Sequence, residues 1–353
     1  MKNLNPFSNP LLTDLYEVTM AHAYFSSGKH NQPAVFDLFF RRNPFGGEFA
    51  VCAGIDEALT FIENYRWTKG DIDFIADRLS LRDADFRAWL ADLDCSRLRV
   101  YAIREGDLMF PRVPVLRIEG PLGICQLLES TLLNAIGYAS LVATYAARLK
   151  IAAGEGKSVI EFGLRRAQGP DGAMSAARYS YLGGVDGTSN VLAGRLYDIP
   201  TVGTQAHAYI SAFAGLHEVS RRTLIDIDGT ERDFVAAVLR FRDRLGFSTT
   251  HEGELAAFIT YALVFPGHFL ALVDTYDTVR SGLPNALCVS LALWQFGYRP
   301  SGIRLDSGDL SHLSRHARRL FQSAAQATGV VLPPVSIVAS NEQIGRASCR
   351  ERV

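Results

Sequence analysis

Cysteine is scarce in this sequence and never paired. The five residues Cys52, Cys95, Cys125, Cys288 and Cys349 are scattered, odd in number and show no CxxC spacing. That excludes a disulfide framework and a thiolate zinc site, and it predicts reduced thiols in a cytoplasmic setting. An excess of either charge is also missing: 36 basic residues face 37 acidic ones, for a net charge of −1. No broad field is available to grip nucleic acid or an anionic membrane, so any anion site must be local. No run reaches the roughly eighteen apolar residues that a spanning helix needs. The N-terminal MKNLNPFSNPLLTDLY has no continuous apolar stretch of the signal-peptide kind, so neither insertion nor export is expected. Walker loops, GxGxxG after a first strand, GxSxG and HExxH are all absent, which removes the common nucleotide-loop, hydrolase and zincin readings.

What is present is ordinary globular material. With 48% hydrophobic residues over 353 positions, the chain can bury a large core as two domains or as one α/β barrel with additions. LLTDLYEVTMAHAYFSSG carries apolar residues at helical spacing, with Thr13 or Asp14 as the cap and Gly28 as the stop. AVFDLFFRRNPFGG predicts a strand entering a turn, and residues 55–93 read as helical. LRVYAIREGDLMFPRVPVLRIEGP predicts two antiparallel β runs around a Gly-Asp turn. These pieces form an α+β unit over residues 1–120.

From residue 121 the pattern changes. One long apolar helix is expected over residues 124–154, followed by six β runs separated by helical stretches: 158–163, 183–188, 199–204, 269–276, 302–308 and 335–340. Alternating strand and helix implies parallel strands, closed as a wound sheet or a barrel. A complete barrel needs eight strands, so the expected fold is an incomplete, irregular α/β barrel over residues 121–343. The last ten residues, IGRASCRERV, follow a good strand abruptly and look like an in-frame translation of a sequencing adapter. The natural protein is therefore expected to differ from this chain at residues 344–353 and to continue beyond 343.

In such folds chemistry gathers at the carboxyl ends of the strands. The residues found there are Arg165, Arg166 and Gln168; Asp186; Thr204 and His207; Asp274 and Asp277; Arg304, Asp306, Ser307 and Asp309; and Ser340 and Asn341. Cations facing several carboxylates around one imidazole suit a polyanionic substrate with a divalent metal, because guanidinium grips phosphate and Asp holds Mg²⁺ through oxygen. Each residue also has a plainer reading. The arginine pair could be surface ion-pair residues, DSGD could be a helix cap, His207 could be a structural hydrogen-bonded histidine, and Tyr16 could be packing. The other seven histidines lack ligand spacing and read as surface or packing residues.

Eight segments, PLLTDLYEVTMAHAYF, FDLFFRRNPFGG, FGLRRAQGPDGA, YSYLGG, SNVLAG, GTQAHAY, FLALVDTYDTVRSGLPNAL and IRLDSGDL, occur in this order. Together they resemble nicotinate phosphoribosyltransferase, a type II phosphoribosyltransferase family, over residues 10–341. The resemblance implies an irregular α/β barrel joined to a smaller N-terminal domain. It also implies a reaction of NAD biosynthesis: nicotinate and 5-phosphoribosyl 1-pyrophosphate give nicotinate mononucleotide and pyrophosphate, coupled to ATP hydrolysis. By the same resemblance His207 is the residue that ATP phosphorylates, a role suited to an imidazole because its neutral form is nucleophilic near pH 7.

The remaining roles follow from the resemblance too. Asp306 would bind ribose hydroxyls or the metal-bound diphosphate, with Asp309 supporting it and Ser307 and Gly308 in the same loop. Arg304 would contact the nicotinate side or the phosphates, and Arg165 a phosphate. Tyr16 and Phe162 would stack the pyridine ring, with Tyr16 contributed by the partner of a homodimer. Thr204 would bond the nicotinate carboxylate. Asp186 matches a pocket carboxylate of the nicotinamide-using relative. Mg²⁺ and the co-substrate ATP are implied. Family members continue into a Gly-rich site for the 5-phosphate that this chain lacks, so the 353 residues alone are expected to be inactive. Competing readings are a transferase for nicotinamide or another pyridine, a non-catalytic nucleotide-binding barrel, and a metal-dependent aldolase or lyase. The last requires a strand-end lysine, whereas Lys157 precedes its strand.

Overall fold

The computed structural model describes residues 9–340; Asn341 and the segment 344–353 lie outside the described residues. Packing divides the chain into two compact units, Met1–Val202 and Gly203–Val353.

The first unit begins with helix α1 (Leu15–Ser26). Asp14 occupies its N-cap position but makes no cap bond; its carboxylate accepts from the Ser130 hydroxyl at 2.8 Å. Strands β1 (Pro33–Leu38) and β2 (Ala50–Val51), helices α2 (Ile55–Glu63), α3 (Lys69–Arg78) and α4 (Ala84–Asp92), and strands β3 (Arg99–Ala102), β4 (Leu108–Met109) and β5 (Leu116–Pro121) follow. β5 is the centre of an antiparallel sheet with β1 and β3 on its sides, and β2 pairs with β4. The antiparallel pairing expected around the Gly-Asp turn is present between β3 and β5, while β4, which directly follows the turn, pairs with β2 instead. Gly106, at φ +88°, turns the chain so that its N–H reaches the Cys52 carbonyl, while the Cys52 N–H reaches Asp107, and β4 is handed to β2.

The core beneath this sheet is apolar and includes Val18, Phe61, Trp67, Phe86, Leu90, Ile118 and Leu128. Burying side chains of this size contributes about 1.5–3 kcal/mol each. The expected single helix over 124–154 is two helices, α5 (Leu122–Leu127) and α6 (Glu129–Ala153). The break has a physical source: buried Glu17 accepts the Ser130 N–H at 2.9 Å, so α6 starts afresh on a carboxylate from α1.

Beyond α6 come β6 (Ile160–Glu161), α7 (Gly169–Leu182), β7 (Gly187–Thr188) and α8 (Val191–Tyr197). β6 and β7 pair in parallel, and Thr188 bridges Thr201 in parallel. The first three β runs are thus where the sequence places them, though far shorter.

The second unit holds helix α9 (His207–Ser211), a hairpin β8 (Thr223–Ile225) and β9 (Glu231–Asp233), and helices α10 (Phe234–Arg244) and α11 (Glu252–Val264). Then β10 (Leu270–Leu272), α12 (Leu283–Gln295), β11 (Gly302–Leu305), α13 (Leu310–Thr328) and β12 (Ser336–Ala339) alternate. β10, β11 and β12 form one parallel sheet, with Leu270 opposite Gly302 and Gly302 opposite Ser336. Phe258, Phe269, Ala271, Val273, Leu287, Leu291, Ile303 and Leu305 are buried around it. The fold is mixed α/β, with parallel pairing wherever β6, β7 and β10–β12 meet.

Candidate active site

Three parallel strands necessarily end at one edge, and in the second unit that edge is polar. β10 runs into Asp274 and Thr275, β11 into Asp306 and Ser307, and β12 into Ser340. Apolar neighbours on β11, Ile303 and Leu305, are fully buried and fix the strand, which leaves Arg304 to project its guanidinium along the edge.

That guanidinium joins the pieces. Its Nε donates to the Ser340 hydroxyl at 2.7 Å, Nη1 to the Thr204 hydroxyl at 3.2 Å, and Nη2 to Asp306 Oδ1 at 3.1 Å. Ser340 in turn donates to the same Asp306 oxygen at 2.5 Å. Burial acts to raise the Asp306 carboxyl, but the Ser340 hydroxyl, the Arg304 cation and His207 outweigh it and hold the group below the usual carboxylate range. Asp306 is therefore an anion at neutral pH.

His207 opens α9, with Ala206 in extended conformation before it. Its Nδ1 lies 3.0 Å from the Thr275 hydroxyl, and its Nε2 lies 3.6 Å from Asp306 Oδ2. The side chain is 46% exposed, so the ring is held on one nitrogen and accessible to an incoming group. Asp274 Oδ2 accepts the Asp306 N–H at 3.2 Å and the Ser307 hydroxyl at 2.5 Å. Its other oxygen is buried with no hydrogen-bond partner among the described residues.

The structure thus brings Thr204, His207, Arg304, Asp306 and Ser307 together in one cluster. Gly308 turns the chain, and Asp309 accepts the His312 N–H at 2.9 Å, so this carboxylate is the cap of α13. Thr275 was not among the sequence candidates, and Asp274 and Ser340 were noted only as polar strand ends. The signal available for all three was their position within two or three residues of β10 or immediately after β12.

Four candidates belong to the first unit. Tyr16, on α1 and 45% exposed, donates to Glu129 at 3.0 Å. Phe162 directly follows β6, and Arg165 is exposed in the short 3₁₀ turn Leu164–Arg166. Asp186 accepts from Lys150 Nζ at 2.6 and 2.8 Å and from the Val159 N–H at 2.7 Å. The Lys150 hydrogen bond first, and the Val159 N–H second, hold its carboxyl below the ordinary range.

The chain is of the mixed α/β class, with imidazole, guanidinium and carboxylates gathered at one parallel strand edge, the place where open α/β sheets commonly bind ligands. The profile of the nicotinate phosphoribosyltransferase (NAPRTase) N-terminal domain matches residues 11–137. A nicotinate phosphoribosyltransferase of Dictyostelium discoideum is 50% identical over 343 residues, covering 97% of this chain and 58% of its own length. Nicotinate phosphoribosyltransferase 2 of Arabidopsis thaliana is 53% identical over 327 residues, covering 90% and 59%. The crystal structure of the human nicotinic acid phosphoribosyltransferase superposes with a TM-score of 0.87 at 45% identity, covering 96% of this chain and 70% of that one. A Pyrococcus furiosus nicotinate-nucleotide pyrophosphorylase shares the fold, with a TM-score of 0.63 at 22% identity over 97% of this chain and 68% of its own. The chain belongs to the nicotinate phosphoribosyltransferase family. It spans somewhat over half the length of the curated relatives it matches.

Proposed function

We propose that the protein joins nicotinate to 5-phosphoribosyl 1-pyrophosphate, releasing nicotinate mononucleotide and pyrophosphate in NAD salvage, with ATP hydrolysis coupled through a phosphohistidine at His207. The pyridine nitrogen forms a bond to the ribose anomeric carbon as the bond from that carbon to the pyrophosphate oxygen breaks. The observation that carries the reading is the placement of an accessible imidazole 3.6 Å from an anionic Asp306 that Arg304 and Ser340 hold in place.

Each residue then has a task. His207 takes the γ-phosphoryl group on a ring nitrogen, ADP leaves, and water later cleaves the phosphoramidate to phosphate. Asp306 holds the ribose hydroxyls, and Arg304 keeps that carboxylate ionised while its charge compensates the anionic substrate. Tyr16 and Phe162 stack the pyridine ring, Arg165 binds phosphate, Thr204 meets the nicotinate carboxylate, and Asp186 belongs with the ring pocket.

Mg²⁺ fits as a companion of the substrate diphosphate. Among the described residues no group of three or more His, Cys, Asp or Glu side chains could cage an ion. Asp274 nonetheless offers a buried carboxylate oxygen that has no donor among the described residues, beside Asp306, and Mg²⁺ commonly takes one or two carboxylates plus phosphate oxygens. When bound, it neutralises charge on the leaving pyrophosphate.

We also propose that the parallel strands belong to an α/β barrel over residues 121–343, with residues 1–120 as the smaller domain; the profile match to residues 11–137 supports the latter. The working form is proposed to be a cytoplasmic homodimer that shares Tyr16. Free thiols at Cys52, Cys95, Cys125 and Cys288 are compatible with a reducing compartment. Among the described residues no helix is long and apolar enough to cross a membrane.

The test is product formation by the whole gene product from nicotinate, nicotinamide and other pyridine acids, with and without ATP. Nicotinate mononucleotide as the main product supports the reading, and inactivity towards nicotinate overturns it. Replacing His207 by Ala should abolish ATP consumption while leaving slow transfer at high substrate. Unchanged ATP stoichiometry in that variant would remove the phosphohistidine.

A further inference from the structure

The segment VDTYDTVRSG, residues 273–282, forms a strap between β10 and α12, and every second or third residue of it is tied down. Asp274 meets Asp306 and Ser307, and Thr275 meets His207. Asp277 accepts the N–H groups of Val279 and Arg280 and so caps a π-helical turn, Thr278–Gly282. Gly282 lies so close to β10 that a Cβ there would come 1.8 Å from the Val273 carbonyl oxygen. Single π turns recur at functional sites. Here the turn carries Ser281 inward, to a buried polar cluster that none of the site chemistry above uses.

The centre of that cluster is Glu254, on α11 and fully buried. Its Oε2 accepts from the Ser281 hydroxyl at 2.5 Å and from Asn285 Nδ2 at 3.0 Å. Ser281 also accepts the His251 N–H at 3.0 Å, and Asn285 donates to the His251 carbonyl at 3.2 Å. His251 Nδ1 accepts the Glu254 N–H at 3.2 Å, which leaves the neutral ring's proton on Nε2. That ring lies flat on Tyr276, with centroids 3.8 Å apart and planes 15° apart. Tyr276 adjoins Thr275, the partner of His207.

Glu254 Oε1 and Asn285 Oδ1 are both buried acceptors without a donor among the described residues. A proton on the carboxyl supplies one. Burial drives the Glu254 carboxyl up to about 7; the Ser281 and Asn285 hydrogen bonds oppose this, and the charges of Asp277 and Asp274 add to it. A buried carboxyl is costly unless it is hydrogen-bonded and neutralised, and here the bonds go to the strap and to α12.

We propose that Glu254 is a positioning residue for His207: through Ser281 and through the His251–Tyr276 stack it anchors the strap from inside, and the strap sets the Thr275 hydroxyl that orients the imidazole. The kinetic consequence rests on the phosphohistidine reading; the structural one does not. Supporting groups of this kind fix a ring's rotation and tautomer, and small misplacements of a reacting group are costly in rate.

The experiment uses the whole gene product in four variants, Ser281→Ala, Glu254→Ala, Glu254→Gln and a core control, Leu291→Ala. The ¹⁵N signals of the His207 ring report tautomer and hydrogen bonding, and the rate of ATP-dependent histidine phosphorylation reports function. Ser281→Ala and Glu254→Ala should shift the His207 ring signals and slow phosphorylation roughly tenfold. Glu254→Gln, which keeps an acceptor for Ser281, should restore both towards wild type, and Leu291→Ala should lower stability without moving the His207 signals. Unmoved His207 signals in Ser281→Ala, or equal movement in Leu291→Ala, overturn the proposal. If Glu254→Ala does not fold, Ser281→Ala and Glu254→Gln decide. If the variants shift the His207 signals as described but the wild type never phosphorylates His207, the phosphohistidine reading is lost and the positioning role stands.

Discussion

Replacing Arg304 by Met would keep the length and apolar stem of the side chain while removing its charge and donors. In the wild type that side chain is 13% exposed and bonds Ser340, Thr204 and Asp306 at once. Asp306, 26% exposed, would keep the Ser340 hydroxyl and the nearby His207 but lose its cation. Breaking a fully buried pair costs about 3–5 kcal/mol and an exposed one under about 1. An intermediate site suggests about 2 kcal/mol, and the Asp306 titration should move upwards when the cation is removed. The sign with pH is fixed by linkage. A carboxyl depressed in the folded state adds stability above its unfolded pKa of about 3.9, and that stability is lost as pH falls through the folded value. The stability gap between wild type and variant should therefore be widest near pH 7 and close in acid. Urea unfolding at several pH values, together with a ¹³C carboxyl titration of Asp306, measures both quantities. If Asp306 titrates at the same pH in the Met variant, Arg304 does not hold its charge and the electrostatic account of the site fails.

Two further outcomes follow from the same unit. Gly282→Ala would place a methyl 1.8 Å from the Val273 carbonyl oxygen, where the rigid neighbour is backbone; a loss of about 3 kcal/mol and a lower calorimetric midpoint are expected, and an unchanged midpoint would mean the strap is not packed as described. Glu254 carries a raised carboxyl, near 7, so its contribution is complete below the unfolded carboxyl pKa and is lost as pH rises through about 7. Wild type should lose stability between pH 5 and 8 relative to Glu254→Gln, and parallel stability profiles across that range would refute the buried proton, whose charged or titratable neighbours are His251, Asp274 and Asp277.

The sequence carried a good deal of this architecture, and the reasons differ by element. The six β runs after residue 121 were legible because short β-branched and apolar stretches between helical segments leave few alternatives to parallel strands. Strand-end reasoning placed Thr204, His207, Arg304 and Asp306 in one group, since the edge of a parallel sheet is fixed once the strands are. The hairpin of β8 and β9 was missed although its Asp228-Gly229 turn is a recognised hairpin signal; its exposed alternation was too short to stand out beside the helix that follows. The break between α5 and α6 was invisible for another reason, because the carboxylate causing it, Glu17, is 113 residues away from the N–H it accepts.

The same limit governs the site. His207 and Thr275 are 68 residues apart, and Arg304 and Thr204 are 100 apart, so periodicity, which reports only neighbours along the chain, cannot pair them. Glu254 shows the limit most sharply. Nothing in GELAAFITYALV marks Glu254 as a site residue, yet it is fully buried on α11 and its carboxyl is held in a network with Ser281 and Asn285. Of the two carboxylates in the first turn of α11, Glu252 reaches solvent while Glu254 is buried, so Glu254 must find hydrogen-bond partners inside the protein, and the partners it finds are those that tie down the loop beside the imidazole.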